Sequence, residues 1–106
     1  MSKIRRCCCC RRCSEYDIYN NELGDFIKNR SVMIVDVRSV QEFKEGHIDG
    51  AVNIPLGELK GMFAKVVNDK NKCIVVYCTS GIRSKKAQKI LNCMGYKNVY
   101  NLADGF

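Results

Sequence analysis

Long apolar runs, proline and histidine are scarce in this chain, and each scarcity narrows what the chain can be. No apolar segment follows Lys3 as it does in a secretory leader, and no run is long enough to cross a membrane. The single proline and the scattered glycines leave no long disordered or fibrous tract. The 106 residues suffice for one hydrophobic core and are too few for two. We therefore expect one folded domain in the cytoplasm.

The chain carries a formal charge of +7, but the excess is confined to its beginning. Five basic residues precede Glu15, the first acidic residue: Lys3, Arg5, Arg6, Arg11 and Arg12. Without them 13 basic residues face 11 acidic ones, so residues 14–106 carry about +2. A basic segment of this kind binds phosphates or anionic lipid weakly. No recognition-helix or aromatic RNA-binding pattern follows it, so we expect no specific nucleic-acid partner, and membrane contact by the tail is only a minor alternative.

Cysteine is abundant, and five of the eight cysteines lie at Cys7–Cys10 and Cys13. We interpret residues 1–15 as a flexible, basic, cysteine-rich tail that precedes a domain over 16–106. Cys7, Cys10 and Cys13 supply only three ligands and no histidine is near, so we expect no metal site in the tail. S-acylation, sulfur relay to or from Cys78, and no defined role stay open for the tail. Cys73 and Cys93 lie in apolar surroundings, where cysteine is a common small core residue.

Apolar runs and helical periodicities alternate from Tyr16 onward. Continuous apolar, β-branched runs predict strands at 32–37, 51–54, 73–77 and 99–102. Helices are predicted after Asn20 or Asn21, from a Ser39–Glu42 capping box to Gly46, over 56–66, and from near Ser84 to Gly95. Parallel neighbours need crossover connections, so this alternation predicts an α/β fold with a mostly parallel central sheet and helices on both faces. Reactive groups in such sheets gather at the carboxyl ends of the strands.

Cys78 occupies the place where this architecture puts a reactive group. It follows a predicted buried strand, and a short loop and a helix begin immediately beyond it. The nucleophile is the thiolate, which a free cysteine with a pKa of about 8.5 hardly forms at neutral pH. The backbone N–H groups of Thr79 to Arg83, the helix dipole and the Arg83 charge would each favour the anion, with a weaker field from Lys85 and Lys86. We therefore expect Cys78 to be a nucleophile.

The residue types of the loop suit a tight anion-binding turn. Gly81 reaches positive φ without steric cost, and the hydroxyls of Thr79 and Ser80 can donate to an anionic substrate or a sulfur adduct. The alternative is structural, with Cys78 as simply the last buried residue of its strand. The Cys-x-x-Gly-x-Arg pattern ahead of a helix favours the functional interpretation.

Several ordered segments resemble the rhodanese-like family, and together they span nearly all of residues 16–106. They are Asp36–Ser39 with Glu42–Phe43, Gly46–Pro55, Tyr77–Ser84 with Ala87, Gly95–Tyr96, and Val99–Leu102. The resemblance implies a rhodanese-like fold of the single-domain, thiosulfate sulfurtransferase kind. Cys78 would accept a sulfane sulfur from a small anionic donor such as thiosulfate and pass it to cyanide or to a thiol, either a small thiol or a thioredoxin-like protein. The resemblance implies that no metal and no other cofactor is needed.

The site expected from the residues and the resemblance has three parts. Cys78 is catalytic, and the substrate-binding residues are Thr79, Ser80, Gly81, Ile82 and Arg83. Asp36, Arg38 and Ser84 are supporting residues, with Asp36 and Arg38 interpreted as an internal ion pair that fixes a loop. His47, the one histidine, is given a structural role.

Two alternatives stay open. Rhodanese-like phosphatases and arsenate reductases share the cysteine, but their loop is one residue longer between cysteine and arginine, whereas four residues separate Cys78 from Arg83 here. A non-catalytic binding module is the other alternative, and the presence of Cys78 and Arg83 argues against it. The end of the chain departs from the family: Asp104 stands where glycine is usual, and Phe106 where a terminal helix usually follows.

Overall fold

A computed structural model of the chain describes residues 16–28 and 31–106, so the predicted tail lies outside the described residues. The strands are β1 (Tyr16–Ile18), β2 (Val32–Asp36), β3 (Val52–Asn53), β4 (Cys73–Tyr77) and β5 (Asn98–Leu102). The helices are α1 (Asn20–Lys28), α2 (Val40–Glu45), α3 (Leu59–Val66) and α4 (Ile82–Cys93), and a 3-10 turn at Leu56–Glu58 precedes α3. Strands and helices alternate as the sequence predicts.

One sheet contains these strands in the order β1-β5-β4-β2-β3, and every pairing is parallel. The β-branched runs of β2 and β4 form its centre and pair from Val32 opposite Cys73 to Asp36 opposite Tyr77. A strand flanked on both sides and covered on both faces is mostly apolar, which is why these runs do not alternate with polar residues, and in β2 a charged residue appears only at its end, Asp36. The predicted α/β fold is confirmed, and within the described residues the sheet is parallel throughout.

Two apolar clusters cover the two faces of the sheet. On one face Val35 and Val76 pack with Leu59 and Phe63 of α3 and with Leu91 of α4, all fully buried. On the other face lies a smaller cluster of Ile18, Ile34, Val75, Tyr77 and Leu102, against which Leu23 and Phe26 of α1 pack. Helices therefore lie on both faces, as predicted. Each fully buried side chain of this size contributes roughly 1.5–3 kcal/mol to folding.

The capping box that opens α2 is present as predicted. The Ser39 hydroxyl accepts from the Glu42 N–H at 3.2 Å, and Glu42 Oε1 accepts from the Ser39 N–H at 3.1 Å. Gly46 follows the helix, and its N–H donates to the Phe43 carbonyl. Backbone groups at both ends of this short helix thus form hydrogen bonds with the residues that the sequence predicts at its ends.

The main differences from the prediction are one additional strand and the bounds of two other elements. Strand β1 was not predicted, because three residues carry no readable period and only pairing with β5 makes them a strand. Helix α4 begins at Ile82 rather than near Ser84, since Gly81 at φ +88° turns the chain directly into it. Strand β3 is shorter than predicted, with the Ile54 N–H donating to the Asp36 carbonyl outside the regular ladder.

The last residues are tied to the rest of the fold by hydrogen bonds. Asp104 Oδ2 accepts from the Asn20 N–H at 2.8 Å, which places a carboxylate at the start of α1 where the helix dipole favours it. The Phe106 N–H donates to the Cys78 carbonyl at 2.9 Å. None of the helices described is both long and apolar enough to span a bilayer.

Candidate active site

Cys78 lies one residue beyond β4, at the carboxyl edge of the sheet, and is fully buried. Its Sγ accepts from the Gly81 N–H at 3.1 Å and from the Ser84 N–H at 3.4 Å. The Ser84 hydroxyl lies 3.5 Å from the sulfur. The loop therefore curls around the sulfur with backbone donors, although the more distant donor is Ser84, just beyond the predicted range of Thr79 to Arg83.

These donors lower the pKa of the Cys78 thiol from its ordinary value. Burial is the largest single influence and acts in the opposite direction, because it disfavours the charged form. Hydrogen bonds from the Ser84 side chain and backbone and from the backbone of Ser80 and Gly81 together outweigh it. The site thus favours an anionic sulfur although it buries it.

Glycine is required at two positions around this loop. Gly81 has φ +88°, and a Cβ there would lie 2.7 Å from the Ala103 carbonyl oxygen. Gly105 has φ +76°, and a Cβ there would lie 2.1 Å from the Thr79 carbonyl oxygen. The loop and the chain end are thus packed backbone against backbone, a closeness that only residues without a side chain allow.

Arg83 faces Glu42 rather than an open anion site. Its Nη1 and Nη2 donate to the two Glu42 carboxylate oxygens at 2.9 and 3.0 Å. Thr79 Oγ1 also donates to Glu42, at 3.4 Å. The hydrogen bonds from Arg83 first, and then those from the Ser39 backbone and side chain, lower the pKa of Glu42 to about 2. Two of the expected substrate-binding side chains therefore hold a carboxylate of α2, and sequence reasoning assigned Glu42 only to the helix cap.

The predicted ion pair between Asp36 and Arg38 is present at the end of β2. Arg38 Nη2 lies 2.7 Å from Asp36 Oδ2 and also donates to the Gly46 carbonyl at 2.6 Å. The guanidinium carbon lies 5.5 Å from the ring centre of Tyr77 and 5.1 Å from that of Phe106. The pair is buried, and the hydrogen bond from Arg38 to Asp36 raises the pKa of Arg38. Through these contacts the ion pair connects the turn after α2 with β4 and with the chain end.

The remaining predicted side chains divide into buried and exposed. Ser84 is fully buried under the sulfur, whereas Thr79 and Ser80 are exposed and Ile82 is 66% exposed. Ile82 lines a groove of about 440 Å³ beside the loop, together with Ser80, Gly81, Lys85, Lys86, Lys89, Asn101 and Ala103. His47 Nδ1 lies 2.9 Å from the Phe43 carbonyl oxygen and its ring stacks on Phe43, which is the predicted structural role.

Two residues at this site escaped sequence reasoning. Asn101 of β5 is buried, and its Oδ1 accepts from the Ser84 hydroxyl. Its Nδ2 donates to Asp17 of β1 at 3.2 Å. The one signal for Asn101 was a polar residue inside an apolar strand, and Asp17 had none because β1 was not predicted. Within residues 16–28 and 31–106, no three or more metal-ligating side chains form a group.

Known proteins resemble this chain along most of its length. The model of the Rhodanese-like domain family matches residues 20–106. Thiosulfate sulfurtransferase PspE of Escherichia coli is 45% identical over 67 residues, which are 63% of this chain and 64% of that protein. The tRNA uridine(34) hydroxylase of Buchnera aphidicola is 34% identical over 88 residues, which are 79% of this chain but 28% of that protein. The chain thus spans less than two thirds of these curated relatives.

A solved structure agrees with the family match. The human single-domain sulfurtransferase TSTD1 superposes with a TM-score of 0.76 at 26% identity, over 88% of this chain and 93% of that one. The parallel sheet and the cysteine loop at its carboxyl edge are thus set in a known fold. This chain belongs to the rhodanese-like domain family.

Proposed function

We propose that the chain is a sulfurtransferase that carries a sulfane sulfur on Cys78. The observation that carries the proposal is the buried Cys78 sulfur, which accepts from the N–H groups of Gly81 at 3.1 Å and Ser84 at 3.4 Å. Fixed amide donors in a site without water stabilise an anion without reorganisation. The same donors suit a thiolate and the persulfide anion that replaces it.

The reaction proposed for thiosulfate has two displacements. The Cys78 thiolate attacks the outer sulfur of thiosulfate, the S–S bond of the donor breaks, and sulfite leaves with the bonding pair, so that Cys78 carries a persulfide. A thiolate acceptor, or cyanide, then attacks the terminal sulfur, and the Cys78 thiolate leaves. The products are an acceptor persulfide or thiocyanate, and no external oxidant or reductant is needed.

Access to the sulfur requires the loop to move, because Cys78 is fully buried in this conformation. We place the donor against Thr79, Ser80, Gly81 and Ile82, whose backbone or side chains lie at the mouth of the loop, and against Arg83. Since Arg83 is held by Glu42, an anionic donor would have to compete with that carboxylate. Asp36, Arg38 and Ser84 would keep the surrounding turns in place.

The phosphatase alternative is less well supported. Only four residues separate Cys78 from Arg83, and the arginine is turned toward Glu42. A cradle for a tetrahedral oxyanion needs a wider loop with the arginine facing its centre. Because the proposed chemistry needs a reduced thiol, we place the protein in a reducing compartment such as the cytoplasm.

The experiment is mass spectrometry of the full chain after incubation with thiosulfate, together with a thiocyanate assay in the presence of cyanide. We expect one added sulfur on the peptide that contains Cys78, and loss of both signals in Cys78→Ser. Cys93 of α4 is exposed, which corrects the prediction that it is a core residue. Cys93→Ser is therefore the matched control and should keep both signals. Sulfur transfer that survives Cys78→Ser, or phosphatase turnover without any sulfur adduct, would reverse the assignment.

A second candidate follows from the relatives named tRNA uridine(34) hydroxylase, which reach 36% identity over 88 residues. Lys85, Lys86 and Lys89 beside the loop favour an anionic partner of that kind. Nucleoside analysis of tRNA incubated with the chain distinguishes the two. We expect thiocyanate formation without hydroxylated uridine, and hydroxylation without sulfur transfer would favour the second candidate.

A further inference from the structure

We propose that Asn101 and Asp17 are positioning residues that aim the Ser84 hydroxyl, and that this hydroxyl donates either to Asn101 or to the Cys78 sulfur but not to both. The inference rests on the proposed function only in taking Cys78 as the nucleophile. It assigns a task to two residues on β5 and β1 that touch no substrate.

The four side chains form a continuous row under the loop. Ser84 Oγ lies 3.5 Å from Cys78 Sγ and is close to Asn101 Oδ1. Asn101 Nδ2 lies 3.2 Å from Asp17 Oδ1, which also accepts from Lys85 Nζ at 3.0 Å. Cys78 and Ser84 are fully buried and Asn101 is 3% exposed, so water does not compete along this part of the row.

The orientation of the Asn101 amide is fixed by its partner. The Asp17 carboxylate only accepts hydrogen bonds, so the NH₂ group of Asn101 must face it and the carbonyl oxygen must face Ser84. A carbonyl oxygen in turn only accepts, which obliges the Ser84 hydroxyl to donate to it. The charge of Asp17 at the partly exposed end of the row therefore sets a proton position two side chains away.

A hydroxyl has one proton, so ionisation of Cys78 creates a conflict at Ser84. In the thiol form, Cys78 donates to Ser84 Oγ and Ser84 donates to Asn101, and every group is satisfied. When the thiolate forms, Ser84 must turn its proton to the sulfur, and the buried Asn101 oxygen then loses its donor. An unsatisfied buried acceptor is costly, so Asn101 opposes the thiolate that Ser84 supports. The backbone N–H groups of Gly81 and Ser84, in contrast, donate to the sulfur without giving up another hydrogen bond.

Charged groups on the neighbouring elements also act on the sulfur. Arg83 of α4 is within electrostatic range, but Glu42 of α2 pairs with it. Asp36 and Arg38 pair with each other after β2, and Lys85 pairs with Asp17. Because each charge has a partner, we expect the direction of the Ser84 proton to have a separable effect on the thiol.

The test measures the thiol pKa of Cys78 in the full chain, from the pH dependence of its alkylation followed by mass spectrometry of its peptide. Ser84→Ala removes the donor and should raise the midpoint by about one unit, the order expected for one hydrogen bond to a charged group. Asn101→Ala removes the competing acceptor and should lower it by roughly half a unit to one unit. Loosened packing alone would not be expected to shift the midpoint in opposite directions in these two variants.

A double variant separates the proposal from other causes. In the Ser84→Ala background, Asn101→Ala should no longer move the midpoint, whereas water admitted by a cavity would act in both backgrounds. Asp17→Asn lies at a partly exposed side chain and guards against misfolding of Asn101→Ala. Asp17→Asn lets the Asn101 amide turn its NH₂ group toward Ser84. This substitution should therefore lower the Cys78 midpoint more in the presence of Ser84 than in the Ser84→Ala background.

The proposal is overturned if Asn101→Ala raises the midpoint or leaves it unchanged, or if its effect is undiminished without Ser84. Sulfur transfer is measured separately on the same proteins. If Ser84→Ala and Asn101→Ala move the Cys78 midpoint in opposite directions but no sulfur is transferred, the positioning role is supported and the proposed function is refuted. If sulfur is transferred but both variants move the midpoint in the same direction, the proposed function is supported and the positioning role is refuted.

Discussion

Three glycines have similar positive φ values but different surroundings, so we expect their substitution by alanine to lower the free energy of unfolding by graded amounts. Gly50, Gly81 and Gly105 have φ values of +82°, +88° and +76°, a range that side chains rarely adopt, so we expect a backbone penalty for alanine at each. Their surroundings differ. A Cβ at Gly50 meets nothing within 4 Å, one at Gly81 comes to 2.7 Å from the Ala103 carbonyl oxygen, and one at Gly105 comes to 2.1 Å from the Thr79 carbonyl oxygen.

The magnitudes follow from separate contributions. A non-glycine residue at positive φ costs roughly 1–2 kcal/mol, and alanine recovers about 0.4–1 kcal/mol by restricting the unfolded chain, so Gly50→Ala should cost about 1 kcal/mol. Gly105→Ala must also separate two backbone segments by about 0.9 Å to reach a 3.0 Å contact. Overpacking of that kind adds roughly 1–3 kcal/mol, giving a total of about 2–4 kcal/mol. Gly81→Ala should fall between the two.

The assay is urea unfolding of the full chain, with Gly57→Ala as a control at an exposed position with ordinary φ and no atom within 4 Å of the added Cβ. Gly57→Ala should change the free energy of unfolding by less than about 0.5 kcal/mol. Gly105→Ala should also lower Tm by roughly 10–20 °C. A Gly105→Ala protein no less stable than Gly50→Ala would refute the claim that the chain end is packed against the cysteine loop.

Three further predictions concern other parts of the fold. Ser39→Ala removes the capping box of α2 and should cost about 1 kcal/mol in urea unfolding; an unchanged midpoint would contradict the cap. The pKa of Glu42 is lowered to about 2, so its pair with Arg83 stabilises the fold above the ordinary carboxyl range near 4.5 and loses that effect as the pH falls toward 2. The stability gap between the wild type and Glu42→Gln should therefore narrow over that interval, and a constant gap would show that the charge is not involved. Phe63→Ala should cost about 3–5 kcal/mol because Phe63 is fully buried edge-on to Tyr96, whereas Met62→Ala, at a side chain 42% exposed, should cost little, and equal losses would contradict the orientation of α3.

The sequence predicts those parts of the site that depend on neighbouring residues. The β-branched run before Cys78 marks the strand, and Gly81 marks the turn that brings two N–H groups to the sulfur. Both follow from properties of single residues and of their immediate neighbours. The predicted start of α4 near Ser84 is two residues too late, because Ile82 and Arg83 are assigned to the loop in the prediction, whereas the helix begins at Ile82 and Ser84 lies inside it beneath the sulfur.

Contacts between distant segments were beyond sequence reasoning. Glu42 is 41 residues from Arg83, and its place in a capping box already explained it, so nothing pointed to a second partner. Asp17 reaches Asn101 across 84 residues through a strand too short to show a period. In both cases the parallel sheet brings the partners together. Spacing along one chain does not reveal which carboxylate reaches which strand end.

Backbone N–H donors around Cys78 lower the pKa of its thiol, and the proposed sulfur transfer depends on the anion that they favour. The most direct measurement is the pH dependence of Cys78 alkylation, followed by mass spectrometry of its peptide, for the folded chain and for the same chain in urea. Restricted access of the reagent slows alkylation at every pH but does not move the midpoint, so the two midpoints report the thiol pKa in each state. We expect a lower midpoint in the folded chain. A folded midpoint equal to or above the unfolded one would contradict it.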